Sequence, residues 1–194
     1  MGESKFPAPK LNLRNQLTAI DVQAGVHHQA IVKSLAWKDE AATQLFAAAL
    51  AAQAALRDAY IELHGELGAG KTTLVRHLLQ ALGVQGRIKS PTYALLEPYE
   101  LAHTPWGDGA LQIWHFDFYR FNDPREWEDA GFRDIFSGAG LKLAEWPDKA
   151  AAFLPRADLV VRIEVGPDTV RQVRLLAQTP TGAALLAPSG SVTA

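Results

Sequence analysis

The chain has 194 residues, of which 48% are apolar, and a formal net charge of −2. That is enough for one domain with a buried core and excludes a disordered chain. The absence of cysteine excludes disulfides, thiolate zinc sites and cysteine nucleophiles. The scattered basic residues give no basic stripe able to grip nucleic acid unaided, so any such role is expected to run through a partner.

Residues 1–28 carry Pro7, Pro9, Gly25 and the adjacent His27 and His28 without a sustained period, and an irregular extension is expected there. The two histidines have no companion at ligand spacing. Lys5, Lys10 and Arg14 are only a sparse hint of a transit peptide, and no apolar core of a secretory signal is present. No apolar run approaches the ~20 residues that cross a bilayer, so no membrane role is expected and the cytoplasm is the expected location.

Gln29 to Leu35 predicts a short strand. Asp39 is placed as the N-cap of an alanine-rich helix running through Arg57, with Leu45, Phe46, Ala49, Leu50 and Gln53 on its packed face. Tyr60 to His64 reads as a buried strand. A Gly-rich loop follows it, then a helix with the apolar stripe Leu74, Val75, Leu78, Leu79 and Leu82 and a stop at Gly83. Further strands are expected near Tyr93 to Leu96, Leu111 to Phe118, Leu141 to Glu145, Leu159 to Val165 and Val170 to Ala177. Asp123 to Phe136 predicts one short helix, and Leu101 to Ala110 an enlarged hairpin loop. Gly166-Pro167-Asp168 predicts a turn between antiparallel strands, and Thr179 to Ala194 a mobile tail. The fold class expected is α/β, a P-loop NTPase-like three-layer sandwich with a mixed, partly antiparallel central sheet. Its domain spans residues 29–178, with the extension 1–28 before it and the flexible tail 179–194 after it.

The loop Gly65-Glu66-Leu67-Gly68-Ala69-Gly70-Lys71-Thr72-Thr73 satisfies G-x-x-x-x-G-K-[ST] between a strand and a helix. Its backbone N–H groups can wrap a triphosphate closely because Gly65, Gly68 and Gly70 carry no side chain. The helix that begins near Gly70 turns its positive end to the phosphates. Lys71 can reach the β- and γ-phosphates, and the Thr72 hydroxyl can bind magnesium.

Hydrolysis needs carboxylates as well, and Asp117 and Glu145 each follow an apolar run, at strand ends where ligands of such sheets gather. Each residue alone reads equally well as a turn or capping carboxylate. Ser90-Pro91-Thr92-Tyr93 could be a phosphate-sensing switch or a plain Ser-Pro turn. Trp146 could contact a partner or be a buried aromatic. The absence of a guanine-reading N-K-x-D sequence leans the base towards adenine.

Taken in order, the P-loop, Lys89-Ser90-Pro91-Thr92-Tyr93, His115-Phe116-Asp117-Phe118-Tyr119-Arg120 and Glu145-Trp146-Pro147 resemble the bacterial TsaE (YjeE) family over about residues 31–177. The resemblance implies a small ATPase of the tRNA threonylcarbamoyladenosine pathway, with ATP and Mg2+ as cofactors. It implies the TsaD–TsaB assembly as partner, tRNA being reached only through that complex. By position, Lys71 and Thr72 match the phosphate and magnesium residues, Asp117 the aspartate near the metal, and Glu145 the acidic residue serving hydrolysis and contacting the metal. Trp146 matches a functional tryptophan, Thr92 the threonine of the switch-like segment beside Ser90, and Thr43 a threonine near the nucleotide. Ala144 departs from the family pattern, which has a larger aliphatic residue before the Glu-Trp pair. Two rivals stay open at this point: a small-molecule kinase, and a nucleotide-gated binding module with negligible hydrolysis.

Overall fold

A seven-stranded mixed sheet organises the computed structural model, which describes residues 31–187. The strands are β1 (Ile31–Trp37), β2 (Tyr60–His64), β3 (Leu96–Thr104), β4 (Gly107–Asp117), β5 (Leu141–Glu145), β6 (Leu159–Val165) and β7 (Arg171–Ala177). They lie in the order β1-β7-β6-β2-β5-β4-β3. The central pairs β6–β2, β2–β5 and β5–β4 are parallel, and β3, β7 and β1 add antiparallel flanks. Helices α1 (Glu40–Ala51) and α2 (Lys71–Leu82) cover one face, joined by α5 (Pro180–Leu185); α3 (Pro124–Asp129) and α4 (Phe132–Ser137) cover the other. This is the three-layer, partly antiparallel α/β arrangement expected. Among the described residues no helix is long and apolar enough to cross a membrane.

Strand alternation sorts side chains between the faces. Ile61, Leu63, Leu111, Ile113, Leu141 and Leu143 join the aliphatic core under α1 and α2. Tyr60, Phe116, Phe118 and Ala144 join an aromatic core with Phe121, Trp127 and Phe132. His115, Asp117 and Glu145 continue the first parity, so β4 and β5 deliver them to the α1–α2 side.

Several expectations need correction. The first helix stops at Ala51 rather than Arg57, because Trp106 Nε1–H donates to the Ala51 carbonyl at 2.8 Å. A 3-10 turn over Ala54–Asp58 then buries Leu56. The packed face of α1 holds Leu50 and the half-buried Phe46 as expected, together with the small Thr43, Ala47 and Ala51, while Leu45 is exposed. Tyr93 to Leu95 is a turn, not a strand; Leu95 has φ 63° and its N–H closes on the Pro91 carbonyl at 2.7 Å. There is no enlarged loop at 101–110: β3 and β4 pair up to Thr104↔Gly107, with only Pro105 and Trp106 between them. The helix expected over Asp123 to Phe136 is two helices, parted where Gly131 takes φ 66°. Finally, Thr179 caps α5 where a mobile tail was expected, and Leu185 and Leu186 are buried in the aliphatic core. The extension 1–28 and residues 188–194 lie outside the described residues.

Candidate functional site

The Gly-rich loop joins β2 to α2 over the carboxyl ends of the parallel strands. Gly65 has φ +143°, and a Cβ there would stand 2.3 Å from the Ile163 carbonyl oxygen, so only glycine lets the loop leave β2 against β6. A Cβ at Gly68 or Gly70 would meet nothing within 4 Å, which leaves open room above the loop. Gly70 is the left-handed N-cap of α2 and offers no side-chain cap, so the first N–H groups of the helix remain available to an anion.

A cavity of about 260 Å³ opens there, lined by Leu67, Gly68, Gly70, Lys71, Thr72, Thr73, Ser90, Thr92, Asp117, Tyr119, Glu145 and Trp146. Asp117 and Glu145 are register partners across β4 and β5 and are 3% and 2% exposed. Thr72 Oγ1 donates to the Glu145 carboxylate, 2.9 Å from Oε1 and 2.8 Å from Oε2. Asp117 Oδ2 accepts from Ser90 and, at 2.7 Å, from Thr92 Oγ1; its Oδ1 accepts from the Tyr119 backbone N–H at 3.0 Å. Lys71 Nζ donates to the Gly65 and Glu66 carbonyls at 2.5 and 2.9 Å and lies 3.9 Å from the centre of the Trp146 ring. Burial lowers the Lys71 ammonium pKa from its ordinary value, and the charges of Glu145, Asp117 and Glu66 oppose that shift. Trp146 reaches this position with φ 56°, a left-handed backbone that is costly for a bulky residue. Its ring also packs on Tyr119, with centroids 5.0 Å apart.

Most of the residues singled out in the sequence therefore meet in one place. Gly65 and Glu66 contribute carbonyls to Lys71, and Ala69 is buried behind the loop without lining the cavity. Thr43 is buried in α1 and also lies outside the lining. Two further residues belong to the site that sequence pattern alone does not assign. Tyr119 follows Asp117 into the lining. His115 stood there inside the apolar run before Asp117, yet it is fully buried and its Nε2 lies 2.9 Å from Glu145 Oε1. The period-two spacing of His115 and Asp117 is the signal that could have found it.

The donor set fits a triphosphate with magnesium: open N–H groups, one ammonium, one hydroxyl and two carboxylates. Among the described residues no group of three or more His, Cys, Asp or Glu is arranged to hold a metal ion.

The family model described as threonylcarbamoyl adenosine biosynthesis protein TsaE matches residues 37–173. The chain belongs to the TsaE family. The tRNA threonylcarbamoyladenosine biosynthesis protein TsaE of Haemophilus influenzae is 46% identical over 122 residues, covering 63% of this chain and 72% of that protein. The protein of the same description from Bacillus subtilis is 34% identical over 117 residues, covering 60% and 68%. The crystal structure of Bacillus subtilis YdiB superposes with a TM-score of 0.64 at 25% identity, covering 82% of this chain and 94% of that one. The stretch matched to the TsaE family holds every residue that lines the cavity, along with Thr43 and His115. The family's role lies in tRNA threonylcarbamoyladenosine biosynthesis.

Proposed function

We propose that this TsaE-family chain is a Mg2+-dependent ATPase required for threonylcarbamoyl modification of tRNA adenosine 37, working in the cytoplasm on the TsaD–TsaB complex and not itself transferring the threonylcarbamoyl group. The observation that carries this reading is the convergence of Lys71, Thr72, Asp117 and Glu145 on one cavity at the N-terminus of α2. Loop amides and Lys71 hold the β- and γ-phosphates, while Thr72 and Asp117 position magnesium directly or through water, with Glu145 close to the same ion. Glu145 orients or activates a water that attacks the γ-phosphorus, and ADP departs with the electron pair of the broken bond. Charge stabilisation and positioning supply most of the catalysis, because phosphoryl transfer asks little covalent chemistry of the protein.

The hydrogen bonds of Lys71 and Asp117 support a switch as part of this reading. Lys71 donates to two loop carbonyls that phosphate would replace, and Asp117 accepts from Ser90 and Thr92, which a cation held there would displace. The Ser90 to Tyr93 segment thus senses nucleotide state, and hydrolysis changes how the chain sits on its partners. Phosphate release from ATP, measured with and without the TsaD–TsaB pair, tests the reading. Release that rises with the pair and vanishes in Lys71→Ala is expected. ATP binding without release in either condition overturns it in favour of a binding module, and a phosphorylated small product overturns it in favour of a kinase.

A further inference from the structure

We propose that His115 is a positioning residue that holds the Glu145 carboxylate in its working orientation from the neighbouring strand. The inference rests on the reading that Glu145 serves ATP hydrolysis. His115 is 0% exposed, on the same strand face as the aliphatic Leu111 and Ile113. A polar ring in such a place is costly unless it is paired. Its partner is Glu145, 30 residues away in sequence and brought within 2.9 Å of Nε2 by the parallel pairing of β4 and β5.

The pairing also fixes which nitrogen carries hydrogen. A carboxylate only accepts, so Nε2 is the protonated atom. Nδ1 is buried with no partner, and in the neutral ring it is then a bare acceptor. An unmet acceptor is tolerated more readily in an interior than an unmet N–H. The Nε2–H is therefore the group that His115 aims at Glu145.

Thr72 and His115 are the side chains that hydrogen-bond Glu145 among the described residues. These two bonds have different fates in the proposed reaction. The Thr72 hydroxyl lines the cavity, where its oxygen would also face a bound cation, so its position beside Glu145 depends on what occupies the cavity. His115 lies outside the cavity lining, so its bond persists. It remains the anchor that keeps Glu145 from swinging while the carboxylate handles water. Partners that orient a reacting group in this way contribute roughly 10–100-fold when removed.

The test uses the full-length chain with His115→Phe, which fills the space without a donor, and His115→Gln, whose amide nitrogen can reach the place of Nε2. Single-turnover phosphate release, ATP affinity by calorimetry, thermal melting and imidazole 15N NMR of the nucleotide-free protein are measured on each. His115→Phe is expected to slow release roughly 10–100-fold while ATP affinity stays within about threefold. His115→Gln is expected to recover most of the rate, and wild-type spectra to show hydrogen on Nε2 and none on Nδ1. Full turnover in His115→Phe overturns the inference and leaves the ATPase reading intact. So does hydrogen found on Nδ1 alone, or a loss of affinity and melting temperature that accounts for the slower release and that glutamine does not repair. Wild-type protein that binds ATP without releasing phosphate overturns both.

Discussion

On the α1–α2 side of the sheet the buried side chains of β4 and β5 are aliphatic until the carboxyl ends of those strands, where His115, Asp117 and Glu145 replace them. On the opposite side the same strands present Phe116, Phe118 and Ala144 to a cluster of rings from α3, α4 and the chain after β5. Phe116 stacks on Phe118 and Phe136 with centroids 5.4 and 4.9 Å apart, and meets Phe132 edge-on at 5.2 Å. Asp117 therefore lines the cavity between two phenylalanines that pack in the aromatic core. One face holds polar groups that would be costly if left unpaired, and the other holds rings whose large buried area keeps the strand ends from shifting. Separate roles predict separable damage.

The sharpest break is expected at Glu145. Glu145→Gln keeps the shape of the side chain and its contact with Thr72 but removes the charge. Phosphate release is expected to fall roughly 10²–10⁴-fold, while calorimetry still detects ATP binding and the melting temperature moves little. Loss of ATP binding instead would move Glu145 from water handling to the metal or the fold.

The converse variant is Phe132→Ala on the aromatic side. Phe132 is 3% exposed and touches Phe116, Phe118 and Trp127. Its truncation is expected to cost about 3–5 kcal/mol in urea unfolding, with ATP turnover per folded molecule unchanged. Turnover that falls as steeply as in Glu145→Gln would show that the two faces are not separable.

This separation also explains what could be read before the fold was known. Elements fixed by local pattern were legible: β2, β5 and β6 match their expected limits, and the loop with its helix follows from the motif. Elements fixed by distant partners were not. Trp106 ends α1 by bonding to Ala51, 55 residues away. The segment before β3 turns because Asp117 takes the Ser90 and Thr92 hydroxyls. α5 docks because Gly182 lets the chain approach Asp158, where a Cβ would stand 1.9 Å from the carbonyl oxygen. In the site, Asp117 and Glu145 were legible as strand ends. The role of His115 was not, since only the β4–β5 pairing brings it to Glu145.

A smaller effect separates the faces by pH. Tyr60 is 5% exposed on the aromatic side, and its hydroxyl donates to Glu62 Oε1 at 3.1 Å. Burial pushes its phenol pKa above the ordinary 10.0, and the charge of Glu62 and the hydrogen bond to it push it further. At neutral pH the phenol is protonated in both the folded and unfolded chain, so it gives stability no slope. Above about pH 10 the unfolded chain releases this proton and the folded chain keeps it. The folded state then binds more protons than the unfolded one, so stability falls as pH rises, by at most about 1.4 kcal/mol per pH unit from this residue. Urea unfolding between pH 8 and 11 is expected to show that decline in the wild type and a shallower one in Tyr60→Phe. The phenylalanine variant also leaves Glu62 without this donor, so its stability at neutral pH is expected to be slightly lower. Parallel declines in the two proteins would assign the alkaline loss to other groups, and the aromatic face would then owe nothing to the protonation of its one buried phenol.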